Sequence, residues 1–152
     1  MEYRKATEQD IELLMDIRLE MLKKVNALAE DYEFSDELRE YSRRYFLRGD
    51  HTTVIAVDNG TVIACASISY IDIMPTFAHP TGRRGHLMNV YTREAYRRHG
   101  TARRLVRMLI DDAEENGATE ISLDATDSGR PLYESLGFRS SEECMTMTLK
   151  RK

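Results

Sequence analysis

Residues 89–104 read NVYTREAYRRHGTARR, and this stretch decides how the chain around it is organised. The residues that lead into it favour a β-strand over 87–91. Beyond it, apolar side chains recur at helical spacing and predict a helix over 100–115, with a stripe formed by Ala102, Leu105, Val106, Leu109 and Ala113. The sequence therefore predicts a strand, a basic turn and a helix in that order.

The turn concentrates positive charge at the start of the predicted helix. Six arginines lie between residues 93 and 107 against one acid, Glu94, in a chain of net charge −4. A helix N-terminus offers unpaired amides and part of a positive charge, and Gly100 and the small Ala102 let a bulky anion approach the backbone. These features predict a pyrophosphate site. A solvated basic helix face is the alternative, and the segment is neither a Walker loop nor a three-glycine dinucleotide fingerprint.

Two helices are predicted upstream, after a short strand over residues 1–6. Thr7 offers an N-cap with Asp10 three residues later, and the helix that follows carries Ile11, Leu14, Leu22 and Val25 at near-helical spacing. Ser35 can cap a second helix that runs to about residue 46. The acidic loop 30–33 lies between the two helices.

A β-hairpin is predicted in the middle of the chain. Runs rich in β-branched residues cover 52–57 and 61–70, and Asn59-Gly60 separates them. An Asn-Gly pair suits a type I′ turn, which needs positive φ at both central residues. Residues 75–85 are rich in proline and glycine, which indicates a loop.

The C-terminal part adds a strand over 121–125, a short helix over about 131–136, and a closing strand over 144–149, where Met145, Met147 and Leu149 alternate with threonines. A helix between two strands implies a parallel pair with a right-handed crossover. The predicted fold class is therefore α/β (α+β), with a mostly antiparallel mixed sheet, one parallel pair and about four helices. A length of 152 residues fits a single domain over 1–152.

The composition favours a globular protein and argues against some classes of function. The chain is 41% hydrophobic and 32% charged, which fits a soluble globular protein, and its net acidity argues against a general nucleic-acid binder. Cys65 and Cys144 stand far apart, and the four histidines form no ligand pattern with them, so we expect no metal and two buried free thiols in a reducing compartment. No leader segment or membrane span is apparent, and a cytoplasmic location is expected.

Two motifs resemble those of a known family. Residues 97–102, RRHGTA, resemble the acetyl-CoA signature of the GNAT superfamily of N-acetyltransferases, which reads Gln/Arg-x-x-Gly-x-Gly/Ala. Residues 131–138, PLYESLGF, resemble the Leu-Tyr-Glu-x-x-Gly-Phe signature that this family carries one strand later. The order of elements is also similar, and the resemblance covers nearly the whole chain.

The resemblance implies acetyl transfer from acetyl-CoA to an amine, and it assigns roles to particular residues. Backbone groups of Val90 and Thr92 would bind the pantetheine arm, and Tyr133 would lie near the sulfur and protonate the leaving thiolate. Thr126 would substitute for an asparagine that many members carry before the last helix. The implied coenzyme-binding set is Val90, Tyr91, Thr92, Arg97, Arg98, His99, Gly100, Thr101, Ala102, Arg103 and Thr126.

The base and the acceptor site have only candidates. Asp124, on a strand expected to be interior, and His86, at the start of the motif strand, are candidate proton acceptors. Asn89 can orient substrate or water. Each has a structural alternative: a strand-end hydrogen bond, a surface histidine and a turn contact, respectively. The candidate substrate-binding residues are Asn89, Tyr32, Tyr70, Asp72 and His86.

Three readings of function remain open. The acceptor amine belongs to a small molecule, or it belongs to a protein or peptide, or the arginine-rich helix is a nucleic-acid-binding module. The Gly100 spacing argues against the last, because binding to a phosphate backbone needs no such glycine. The acidic loop 30–33 hints at a cationic acceptor, although a solvated loop explains it equally well. A homodimer is the common habit of the family.

Overall fold

A computed structural model describes residues 1–151, and its centre is a five-stranded sheet. The strands are β1 (Glu2–Lys5), β2 (His51–Asp58), β3 (Thr61–Asp72), β4 (Arg83–Thr92) and β5 (Glu120–Leu123). They lie side by side in chain order, antiparallel except for the parallel pair β4–β5. The predicted mixed sheet with one parallel pair is confirmed.

In the described residues, four α-helices cover the two faces of the sheet. They are α1 (Ile11–Val25), α2 (Asp36–Arg48), α3 (Thr101–Glu115) and α4 (Arg130–Ser135). The crossover helix α3 packs on one face, where Leu105 and Leu109 join a core cluster with Val54 and Ala56 of β2. The α1 helix packs on the other face, where Ile17 meets Ile55. Successive residues of β2 therefore serve opposite cores, because side chains alternate along a strand.

The turns and caps follow the local sequence signals. Asn59 and Gly60 both have positive φ, 49° and 77°, as the predicted type I′ turn requires. Thr7 and Asp10 form the capping box of a short 3-10 turn that leads into α1. The Ser35 hydroxyl accepts the amide of Leu38, 3.2 Å away, and caps α2. Within residues 1–151, no helix is both long enough and apolar enough to cross a membrane.

The C-terminal tail departs from the prediction. The expected strand over 144–149 is wrong, because this segment pairs with no strand in the described residues. Met145, Met147 and Leu149 are exposed, and the tail reaches α2, where Arg151 forms an ion pair with Glu37. Alternating apolar residues make a strand only where a sheet edge pairs with them. Cys65 is buried and free as expected, whereas Cys144 is free but exposed.

A buried carboxylate ties β1 to the start of α1. Asp10 is 5% exposed, and its two oxygens each accept a hydrogen bond from the Arg4 guanidinium at 2.8 Å. The Thr7 amide donates a further bond at 2.8 Å. The Arg4 guanidinium, helped by the Thr7 amide, lowers the pKa of Asp10 to about 2.

We expect Asp10→Asn to lower the free energy of unfolding at pH 7 by about 1–2 kcal/mol, a figure that allows for the partial exposure of Arg4. Because the folded-state pKa is depressed, this stabilisation is present above the unfolded-state value near pH 4 and is lost as the pH falls toward 2. Urea unfolding from pH 7 to pH 2 measures it. Glu2→Gln, which removes an exposed partner of Arg4, is the control and should change little. If the difference in free energy of unfolding between wild type and Asp10→Asn stayed constant over this pH range, the stabilisation would not come from the ionised Asp10 carboxylate.

Candidate active site

The two parallel strands separate at the end of β5. They pair from Arg84–Glu120 to Leu87–Leu123, and β5 then ends while β4 continues to Thr92. On its other side β4 stays paired with β3, with Thr92 opposite Ala64. On the side where β5 lay, the edge of β4 beyond Leu87 therefore has no strand partner. Val90 and Thr92, the predicted pantetheine contacts, lie on this open edge.

A β-bulge at Asn89 lies at the same point. The β3–β4 register shifts between Cys65–Tyr91 and Ser67–Met88, so two residues of β4 oppose one residue of β3. Asn89 has φ 58°, and its carbonyl accepts the thiol of Cys65 at 3.3 Å. A bulge of this kind redirects a side chain out of the regular alternation. Here it brings the Asn89 amide to Arg18 of α1, whose Nη1 donates to Oδ1 at 3.2 Å.

The turn after β4 presents an open helix N-terminus. Gly100, at φ 76°, is the N-cap of α3, and Arg98 is also left-handed at φ 67°. A Cβ at Gly100 would meet nothing within 4 Å, so the space beside this N-cap is open. Among the described residues, no backbone acceptor takes the amides of Arg98, His99 or Gly100. Unpaired amides around a helix N-terminus form a ready anion-binding site.

The arginines of this segment divide into different roles. Arg93 pairs with Glu20 of α1 at 3.0 Å, and the Arg104 guanidinium covers the Tyr3 ring 4.0 Å from its centroid. Arg97 Nε donates to the Thr92 carbonyl at 2.9 Å and holds the turn against the strand end. Arg103 donates to the Ser135 hydroxyl and joins α3 to α4. The alternative of a purely solvated basic face therefore does not describe Arg93 or Arg104.

Tyr133 lies on α4, half-buried and edge-to-face with Phe138 at 5.9 Å between ring centroids. Burial raises the pKa of its hydroxyl. Gly129 makes room for the ring, because a Cβ there would lie 3.2 Å from Tyr133 Cε2. Thr126 accepts the amide of Gly129 at 3.1 Å, so this hydroxyl holds the turn before α4.

The candidate bases Asp124 and His86 come together. His86 Nε2 is 3.8 Å from the Asp124 carboxylate, and its Nδ1 is 2.7 Å from the Ser122 hydroxyl. The expected burial of Asp124 is wrong, because β5 ends at Leu123 and the Asp124 side chain is fully exposed.

Three of the candidate acceptor residues lie elsewhere. The Tyr70 hydroxyl donates to Asp112 of α3 at 2.6 Å on the opposite face of the sheet. Asp72 pairs with Arg83 at the far end of β3, and Tyr32 packs against Phe34 in the loop before α2. None of the three lines the cavity that α1 and α2 form with the sheet.

That cavity measures about 610 Å³ including its open mouth. Its walls include Arg18 from α1, Tyr45 and Phe46 from α2, and Ser67, Met88 and Asn89 from the sheet. Asn89 is the one predicted acceptor residue found there. Arg18 was not predicted from the sequence to be a site residue. It lies one turn after the core residue Leu14, and a charge on the inward-facing stripe of a helix is the signal that could have identified it.

No group of three or more potential metal-ligating side chains occurs in residues 1–151.

The chain is similar to known proteins over most of its length. Residues 18–138 match the acetyltransferase (GNAT) family. A glucosamine 6-phosphate N-acetyltransferase of Trypanosoma brucei brucei is 30% identical over 90 residues, and the match spans 59% of this chain and 59% of that relative, about three fifths of its length.

Solved structures extend the similarity over the whole fold. A predicted acetyltransferase with acetyl-CoA from Clostridium acetobutylicum is 33% identical, with a TM-score of 0.84 over 97% of this chain and 95% of that one. A glucosamine-6-phosphate N-acetyltransferase of Arabidopsis thaliana shares the fold at 18% identity, with a TM-score of 0.69 over 98% of each chain. The family match covers both motifs, the separated strands and the open helix N-terminus, and the chain belongs to the acetyltransferase (GNAT) family.

Proposed function

We propose that the protein transfers an acetyl group from acetyl-CoA to a primary amine of a small molecule by direct attack. The observation that carries the proposal is the open edge of β4 leading to the unpaired amides at the N-terminus of α3. An extended arm can add to the edge as a strand would, and a pyrophosphate fits the amides of residues 98–103. The structural relative with acetyl-CoA supports this choice of acyl donor.

Chemistry at this site needs two proton transfers. The amine nitrogen attacks the thioester carbonyl carbon, the carbon–sulfur bond breaks, and the sulfur takes a proton while the amine gives one up. A primary amine with a pKa near 10.4 is mostly protonated at pH 7, and making it neutral costs about 4–5 kcal/mol. A base near the acceptor, direct or through water, lowers this cost.

Tyr133 and the pair His86–Asp124 are the proposed proton carriers. The raised pKa of Tyr133 keeps its hydroxyl protonated at neutral pH, as a donor to the departing sulfur must be. His86 is the proposed base, with the Ser122 hydroxyl orienting the ring and the Asp124 carboxylate, 3.8 Å away, favouring the imidazolium that forms when the ring takes a proton. A backbone amide on the open edge near Thr92 would stabilise the developing oxyanion.

A small-molecule acceptor is favoured over a protein. The cavity is bounded on two sides by α1 and α2, and its volume suits a small ligand better than an extended peptide. The curated relative is a glucosamine 6-phosphate N-acetyltransferase, whose acceptor is a small amine.

Acetyl-CoA should raise the free energy of unfolding by about 2.7 kcal/mol when its free concentration is 100 times Kd. Chemical unfolding with and without acetyl-CoA measures this change, and a single-stranded RNA at the same concentration is the comparison. Stabilisation by RNA and none by acetyl-CoA would contradict the proposal and favour a nucleic-acid-binding module. A screen of amines for thiol released from acetyl-CoA then identifies the acceptor.

A further inference from the structure

The acceptor cavity holds a guanidinium without a counterion. Arg18 is half-buried, and no carboxylate of residues 1–151 lies within ion-pair distance of it. Burial lowers its pKa, and no carboxylate is among the groups that act on it. Arginine stays charged in proteins even so. Arg4 and Arg93, by contrast, each face a carboxylate. A desolvated charge without a partner is costly, which indicates a partner from outside the chain.

Asn89 adds a second unused donor beside Arg18. Its Oδ1 accepts from the Arg18 guanidinium, and its buried Nδ2 has no hydrogen-bond partner. A guanidinium only donates, so the amide cannot turn its nitrogen toward Arg18. The orientation is therefore fixed, and the orphaned donor needs an acceptor atom. The bulge that creates this arrangement places Asn89 in a strained, left-handed conformation.

The remaining walls carry no negative charge. Tyr41, Tyr45, Phe46 and Met88 form an apolar and aromatic lining, and Ser42 and Ser67 contribute hydroxyls. The Ser67 hydroxyl is engaged with Thr53 at 2.7 Å. The acidic loop 30–33, which hinted at a cationic acceptor, contributes no residue to the lining. A cation would meet Arg18 here with no acid to offset the repulsion.

We infer that the acceptor is an amine that also carries an anionic oxygen group, a carboxylate or a phosphate, and that Arg18 and Asn89 Nδ2 bind this group. The inference rests on the proposed acetyl transfer and names the substrate class of the same site. Arg18 presents several donors in a fixed planar fork that fits either group. The aromatic wall covers the part of the acceptor between the anion and the amine.

Matched pairs of amines test the inference. One pair is L-phenylalanine and phenethylamine, which differ by a carboxylate, and the other is glucosamine 6-phosphate and glucosamine, which differ by a phosphate. Thiol release from acetyl-CoA gives kcat/KM for each. In at least one pair the anionic member should be preferred by about 30-fold, and Arg18→Met should remove that preference. A preference in the first pair identifies the anionic group as a carboxylate, and a preference in the second identifies it as a phosphate.

Arg48→Met is the matched control. It removes the same charge from an exposed position at the end of α2, outside the cavity, and should leave the preference intact. Arg18→Met should unfold at the same or a higher temperature than wild type, because it removes an uncompensated half-buried charge. Equal use of both members of both pairs by the wild type, or an equal loss for both members in Arg18→Met, would overturn the inference.

Calorimetric binding of the same probes to the protein loaded with coenzyme A separates the two proposals. Tighter binding of an anionic member, lost in Arg18→Met, supports the anion site even if no amine releases thiol, and the failure then belongs to the proposed function. Thiol release with no preference between members, or binding that does not distinguish them, refutes the anion site alone.

Discussion

Tyr133→Phe is expected to lower kcat by about 100- to 1,000-fold while changing the Kd of acetyl-CoA less than threefold. The substitution removes one hydroxyl and keeps the ring, so the contact with Phe138 and the packing of α4 are retained. What is lost is the proton donor for the departing sulfur. Because burial raises the pKa of Tyr133, the hydroxyl stays protonated through the neutral range, and the alkaline loss of wild-type activity should begin only at high pH, where this acid ionises.

Tyr96→Phe is the control for this experiment. It also removes the hydroxyl of a partly buried tyrosine, one that donates to Asp58 at 2.9 Å, and it should leave kcat within about twofold. Steady-state rates across pH, with acetyl-CoA affinity measured separately, distinguish the two variants. An unchanged kcat for Tyr133→Phe at every pH would remove Tyr133 from the mechanism.

Gly100→Val is expected to weaken acetyl-CoA binding by about 100-fold, the equivalent of losing one to two charge-assisted hydrogen bonds. The added side chain would project into the space in front of α3 that protein atoms leave empty. It would also strain the backbone, since Gly100 has φ 76°, a conformation that a β-branched residue rarely adopts. Titration calorimetry with acetyl-CoA measures the effect.

Gly117→Val separates backbone strain from loss of the site. Gly117 follows α3 at its other end, with φ 75° and nothing within 4 Å of an added Cβ. Both variants should lose stability by about 1–2 kcal/mol, but only Gly100→Val should lose affinity for acetyl-CoA. Equal affinities of the two variants would mean that the α3 N-terminus does not hold the pyrophosphate.

The sequence predicted those parts of the fold that depend on neighbouring residues. The Asn59-Gly60 turn, the Ser35 cap and the boundary between β4 and α3 at Gly100 each follow from the chemistry of a few adjacent residues. The parallel β4–β5 pair followed from the intervening helix and the handedness of such crossovers. The coenzyme side was predictable because one continuous segment forms it.

The acceptor side was not predictable, because it depends on residues distant in the chain. Arg18 and Asn89 meet because a β-bulge turns the Asn89 side chain toward α1. No local sequence pattern predicted that bulge. Tyr70 was predicted to bind the substrate, yet its hydroxyl donates a hydrogen bond to Asp112 on the other face of the sheet. The strand expected over 144–149 failed for a related reason, since alternation does not reveal whether an edge is there to pair with.

Acetyl transfer is tested by following an isotopically labelled acetyl group from acetyl-CoA in the presence of the amine panel. We predict that the label appears on the nitrogen of an amine, with one thiol released for each acetyl transferred, and that Gly100→Val slows this transfer while Gly117→Val does not. Tight binding of acetyl-CoA with no label on any amine would contradict acetyl transfer. Labelled transfer at the same rate in both glycine variants would contradict the proposed coenzyme site.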